Sequence, residues 1–266
     1  MTPSPSVGFP TEVQTAIDEL LPLCRALGQG RYAVSLGGSY GKGTSDGRSD
    51  LDFRLFCDAR APDQGARRRL RKAIEAWADR GIVIDGCWVR TIDEIEAQLD
   101  LWSEGKGKAP NLVWTIWGYH ILTDVYNQAV VDDPFGILDG WRNRLSTYPS
   151  KLKAALVQRH TASLRYWRAD YHYANKVDRG DVVFLAGITS RLVHDALRVL
   201  FALNETYYPG DGKNLRFADG FEIMPNRFRE RVEATLYPGT GEQARRSQHI
   251  QLLALVDEVL ALVPAD

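Results

Sequence analysis

Residues 34–56 read VSLGGSYGKGTSDGRSDLDFRLF, from Val34 to Phe56, and the order of their parts decides how the chain is read. Tyr32, Val34 and Leu36 recur with the period of a strand, and that run stops at Gly37-Gly38-Ser39. A polar loop punctuated by Gly41, Gly43 and Gly47 follows, and the apolar run Leu51 to Phe56 predicts a second strand. Asp50 and Asp52 stand at its head. Residues two apart on a strand share a face, so both carboxylates point the same way. They repel one another unless a cation lies between them, and oxygen ligands of this kind suit Mg²⁺. The Gly-Gly-Ser turn lets backbone N–H groups and a hydroxyl close on an anion, as phosphate-binding nests do. The plain alternative is a hairpin with two solvated aspartates, which gives no reason for paired acids at the entry of an apolar strand.

The rest of the composition is that of a folded chain. Its 266 residues fit one large or two small domains, with 25% charged and 10% aromatic residues. The formal net charge of −1 sets up no field for a long nucleic acid or a membrane. Cys24, Cys57 and Cys87 have no metal-ligand spacing and read as reduced thiols of a cytoplasmic protein. Met1 to Pro10 reads as a loose tail without a basic-then-apolar leader, and no run is long enough to span a bilayer.

In chain order, a helix is expected from Glu12 to Leu27 behind Thr11, and another over residues 63–80. The second carries Arg67, Arg68, Arg69, Arg71 and Lys72, a solvated face or a phosphate contact, with Leu70, Ile74 and Trp77 turned inward. Gly81 to Val89 predicts a third strand, on which Val83, Asp85, Cys87 and Val89 share a face. An acid is out of place there unless it starts a turn before Gly86. A helix over Thr91 to Leu101, a hinge at Gly105 to Pro110, and a short strand at Val130-Val131-Asp132 follow. Beyond Ile137 the pattern is helical: Lys151 to Lys176, Val182 to Leu203, Pro225 to Leu236 and Gly241 to Leu262, with a Pro/Gly loop at Tyr207 to Asn214. The expected class is α+β, with residues 1–135 as one domain and 136–266 as a helical domain.

Gly38-Ser39, ten residues, and then Asp50-x-Asp52 resemble the signature of nucleotidyltransferases of the DNA polymerase β superfamily. The likeness is to the small bacterial members that modify antibiotics, and the motif covers only about residues 32–56. It implies a small polymerase-β-like domain followed by a helical bundle that binds the acceptor. It further implies transfer of a nucleoside monophosphate from a nucleoside triphosphate, ATP first among them, to the hydroxyl of a small molecule, with pyrophosphate released. On that resemblance Asp50 and Asp52 hold Mg²⁺, and Asp85 completes the metal site, with Asp93 and Glu94 as rivals. Gly37, Gly38 and Ser39 hold the triphosphate, with Lys42 adding charge.

In the second half, Lys213 follows a Pro/Gly loop and is either a phosphate contact or a surface lysine. Arg191, His194 and Arg198 form a polar stripe that lines a cleft or faces water. Arg165, Tyr166, Trp167, Tyr171, His172 and Tyr173 suit stacking on a ring or packing in a core. Two other classes remain open: an antitoxin-type enzyme that adds AMP to a partner protein, and a non-catalytic nucleotide-binding regulatory domain. A template-dependent polymerase is disfavoured by the small size and the near-neutral charge.

Overall fold

The computed structural model describes residues 8–264, so most of the tail expected at Met1 to Pro10 lies outside the described residues. The described chain falls into two compact units. One runs to Trp102 and takes in His120–Thr147; the other comprises Ser103–Tyr119 and the chain from Tyr148 onward. The boundary drawn from the sequence stood at 135/136.

The first unit opens with α1, Thr11–Arg25, which buries Val13, Ala16, Ile17, Leu20 and Cys24 at helical spacing. Strand β1, Gly28–Leu36, follows, then the single turn α2, Gly38–Gly41, and β2, Leu51–Arg60. Helix α3, Gln64–Ala78, is capped by Asp63, whose carboxylate accepts from the Gly65 N–H at 2.7 Å. Its arginines and Lys72 are exposed while Leu70 and Trp77 are buried, so the basic run is a solvated face. Then come β3, Ile84–Thr91, α4, Ile92–Ser103, α5, Ile121–Tyr126, β4, Ala129–Asp132, and α6, Ile137–Leu145.

The strands form one mixed sheet in the order β3-β2-β1-β4. β1 runs antiparallel to β2 and β4, whereas β2 and β3 are parallel with α3 as their crossover. The α+β class expected from the sequence is the class observed. On one face Val34, Leu36, Leu51, Phe53 and Leu55 pack with α1 and α3. On the other Phe56 meets Trp141 of α6 edge-on, ring centroids 5.1 Å apart, and Ser35 Oγ donates to Gln128 Oε1 at 2.6 Å.

The second unit is built from α7, Ser150–Ala169, α8, Tyr171–Arg179, α9, Val182–Leu203, α10, Asn214–Ala218, α11, Phe228–Leu236, and α12, Glu242–Ala261. The single helix expected over Lys151 to Lys176 is two, because Asp170 leaves helical geometry at φ −77°, ψ 114° and caps α8 by accepting from the Tyr173 N–H. Gly180, left-handed at φ 70°, ends α8, and Asp181 caps α9. α9 packs against α7, α8, α10, α11 and α12, and its Leu192, Val199, Leu200 and Ala202 are fully inaccessible. Most of the aromatic stretch 111–128 has no regular structure beyond α5, and Val113, Trp114 and Ile116 stand exposed. Among the described residues no helix is long and apolar enough to cross a membrane.

Candidate functional site

Gly37 links β1 to α2, which opens with Gly38 and Ser39, and this turn lies directly against β2. The Gly37 N–H donates to Asp52 O at 2.9 Å. Gly38 takes φ +55°, and a Cβ built there would stand 1.8 Å from Asp52 Oδ2. The turn and the carboxylate therefore close on each other, and the left-handed backbone at this contact favours glycine. Ser39 Oγ is buried and makes no hydrogen bond to any described residue. A buried hydroxyl without a partner is costly, and a ligand oxygen arriving there would satisfy it. Lys42 is half-buried at the end of α2, where its N–H donates to Gly38 O at 3.3 Å.

Asp52 is half-buried, and burial raises its carboxyl above the ordinary value. Arg54 opposes that rise, while the nearby charges of Asp50, Asp85 and Asp124 add to it. Four acids thus share one neighbourhood. Arg54 Nη1 lies 3.7 Å from Asp52 Oδ1, and Arg54 Nε lies 3.3 Å from Asp124 Oδ2.

Asp85 is placed otherwise than strand alternation predicts. Leu51 pairs with Ile84 and Asp52 with Gly86, so β3 carries one extra residue at this point, and that residue is Asp85. Ile84 and Cys87, three apart, both pack with the α1 and α3 core, and Gly86 takes φ +114° to make the bulge. Asp85 accordingly leaves the Cys87 face and is exposed, so the expectation that it shares a face with Cys87 and Val89 is corrected. Of its rivals, Glu94 is occupied by Arg60 at 2.5 Å and by a capping box with Thr91, and Asp93 is exposed at the start of α4. Cys24 and Cys57 are buried, Cys87 is half-buried, and all three are free thiols.

Lys213 belongs to the second unit, exposed and left-handed at φ 55° just before α10. The polar stripe of α9 does not simply face water: Arg191 is exposed, but Arg198 is buried, with its guanidinium 4.7 Å from the Tyr208 ring. His194 stacks on Trp117, ring centroids 4.1 Å apart and nearly parallel, and its Nδ1 lies 3.1 Å from Tyr208 Oη. Asp211 fixes the Trp117 segment by accepting from the N–H groups of Ile116 and Trp117 at 3.0 and 2.8 Å. The buried Asp195 accepts from Ser163 Oγ at 2.7 Å and sits 2.7 Å from His160 Nδ1, which places the ring hydrogen on Nδ1 and leaves Nε2 as an acceptor. Burial lowers the His194 pKa to about 3, so its ring is neutral. The aromatic-basic run divides: Tyr173 enters the core, whereas Tyr166 and Tyr171 are exposed.

Sequence reasoning missed Arg54 and Asp124 in the first unit, and Trp117, Ser163 and Asp195 in the second. For Arg54 the signal was present, a charge at an interior position of the apolar strand LDFRLF. Asp124 carries no such mark.

A divalent cation has only part of its shell here. Among the described residues no three His, Cys, Asp or Glu side chains are gathered as a ligand set. Mg²⁺, however, is commonly held by one or two carboxylates together with phosphate oxygens and water. Asp50 and Asp52, beside an unpartnered Ser39 hydroxyl and a turn stripped of side chains, fit that mode.

A family model described as a domain of unknown function, DUF4037, matches residues 114–213. That segment includes Asp124, Trp117, His160, His194, Asp195 and Lys213 but leaves out the Gly-Ser turn and the Asp50/Asp52 pair. No curated protein matches the chain.

Proposed function

We propose that the chain is a nucleotidyltransferase that moves a nucleoside monophosphate from a nucleoside triphosphate, ATP first among the candidates, to the hydroxyl of a small acceptor. The observation that carries this reading is the closure of Asp52 on Gly38 beside the unpartnered Ser39 hydroxyl. The first unit takes the role of a polymerase-β-like domain and the second that of the acceptor-binding helical domain.

The Gly37-Gly38-Ser39 turn lies along the triphosphate, and Ser39 Oγ donates to a phosphate oxygen. Lys42 adds positive charge at the same turn. Asp50 and Asp52 would hold Mg²⁺, which when bound neutralises phosphate charge and stabilises the pyrophosphate that leaves. The acceptor oxygen attacks the α-phosphorus, the bond from that phosphorus to the bridging oxygen breaks, and pyrophosphate departs. Asp85, exposed at its bulge, receives the acceptor's proton. Positioning and electrostatics account for the rate in such a transfer, with no covalent step on the protein.

The test incubates the protein with each nucleoside triphosphate and Mg²⁺ and screens hydroxyl-bearing acceptors for pyrophosphate release and for a product heavier by one nucleoside monophosphate. Release together with that product is the expected result. Labelling of a protein partner in place of small molecules would move the reading to an AMP-adding enzyme.

A further inference from the structure

Arg54 occupies an interior position of β2 and is 8% exposed. A guanidinium so placed is costly unless charges of opposite sign meet it. Its Nε lies 3.3 Å from Asp124 Oδ2, its Nη1 lies 3.7 Å from Asp52 Oδ1, and its Cζ stands 5.2 Å from the ring of Trp88, its register partner on β3. Asp124, on α5, is equally enclosed, with its side chain 11% exposed. The pair lies directly beneath the glycine turn. A Cβ on Gly37 would stand 2.9 Å from Asp124 Oδ1 and 3.0 Å from Arg54 Cζ. The turn, the guanidinium and the two carboxylates therefore pack as one piece, and the surrounding acids Asp50 and Asp85 supply more negative charge than Asp52 alone.

We propose that Arg54 is a positioning residue of this site. Its buried guanidinium, shared between Asp124 and Asp52, sets the Asp52 carboxylate against Gly38 and serves as the resident counter-cation of the acidic cluster. The proposal rests on the reading that Asp52 takes part in holding a divalent cation. Arg54 touches neither substrate nor cation in this role; it acts through Asp52. The arrangement gives opposite signs for its two neighbours. Removing Arg54 leaves a cluster in greater need of positive charge, whereas removing the Asp124 charge leaves one with less need.

The experiment measures melting temperature in chelator and in saturating Mn²⁺ alone, for the wild type and for Arg54→Met, Arg54→Lys, Asp124→Asn and Asp52→Asn. Arg54→Met is expected to melt lower in chelator and to gain more from Mn²⁺ than the wild type does. Arg54→Lys, which restores the charge without the planar fork, should return the Mn²⁺ gain towards the wild-type value. Asp124→Asn should gain less than the wild type, a comparison that stands even where Arg54→Met fails to fold. Transfer by Arg54→Met and Arg54→Lys should fall by the order of 10–100-fold in kcat, as expected for a displaced catalytic group, with KM for the triphosphate little changed. A wild-type Mn²⁺ gain abolished in Asp52→Asn but unaltered in both Arg54→Met and Asp124→Asn would overturn this proposal alone. Absence of any Mn²⁺ gain in the wild type would overturn the site reading and this proposal with it.

Discussion

Gly38 sets the geometry on which Asp52 depends. It needs a left-handed backbone and leaves no room for a methyl group, since a Cβ would lie 1.8 Å from Asp52 Oδ2. Gly38→Ala should therefore lower stability by about 1–3 kcal/mol, the usual cost of a strained backbone position. A denaturant melt measures this, and an unchanged midpoint would contradict the packing described. At this scale the sequence was informative where one residue type answers a local demand. Gly38, Ser39, Asp50 and Asp52 were legible because a turn and an acid pair announce themselves within a dozen residues. Arg54 was passed over although a charge inside an apolar strand marks it, and its partner Asp124 is 70 residues away, where nothing local names it.

β3 and α9 show where period-based reading fails and what the failure hides. Alternation put Asp85 on the core face, but a single inserted residue shifts the phase of the strand, and only Gly86 hinted at it. The break between α7 and α8 had a visible signal in Asp170, a good capping residue inside an otherwise continuous helical pattern. On α9 the polar stripe was seen but its burial was not, because the partners Trp117 and Tyr208 lie in loops. That burial has a consequence in acid. His194 is held neutral by burial, then by the charge of Arg198, with its pKa depressed from 6.5 to about 3. Protonation then favours the unfolded chain, so the contribution is full above 6.5 and is lost as pH falls from 6.5 towards about 3. The amount is on the order of a few kcal/mol. His160 is also lowered by burial and acts in the same direction. The melting temperature should drop between about pH 7 and pH 4.5, and His194→Gln should drop less over that window. An equal drop in the variant would remove His194 from the acid response.

For the whole molecule, the class and the order of elements were readable because long amphipathic runs and glycine stops dominate the chain. The division into units was harder, since residues 103–119 group with the helices from Tyr148 onward while 120–147 return to the sheet. The Gly105 to Pro110 loop lies just past the point where the chain leaves the first unit, but no local pattern marks its return at His120. Ligand binding offers a test at this scale. Mg²⁺ and a nucleoside triphosphate together should raise the melting temperature more than either does alone, because phosphate oxygens complete a shell that Asp50 and Asp52 only begin. A joint shift no larger than that with triphosphate alone would count against the carboxylate pair as a cation site. The central claim is tested most directly by replacing Asp52 with Asn, which keeps the shape and removes the charge. Turnover in the pyrophosphate-release assay should fall by the order of 10²–10³, the usual cost of losing one preorganised electrostatic group. In chelator Asp52→Asn should melt at or above the wild type, since burial already disfavours that charge in the fold. An Asp52→Asn protein that transfers nucleotide at the wild-type rate would contradict the account.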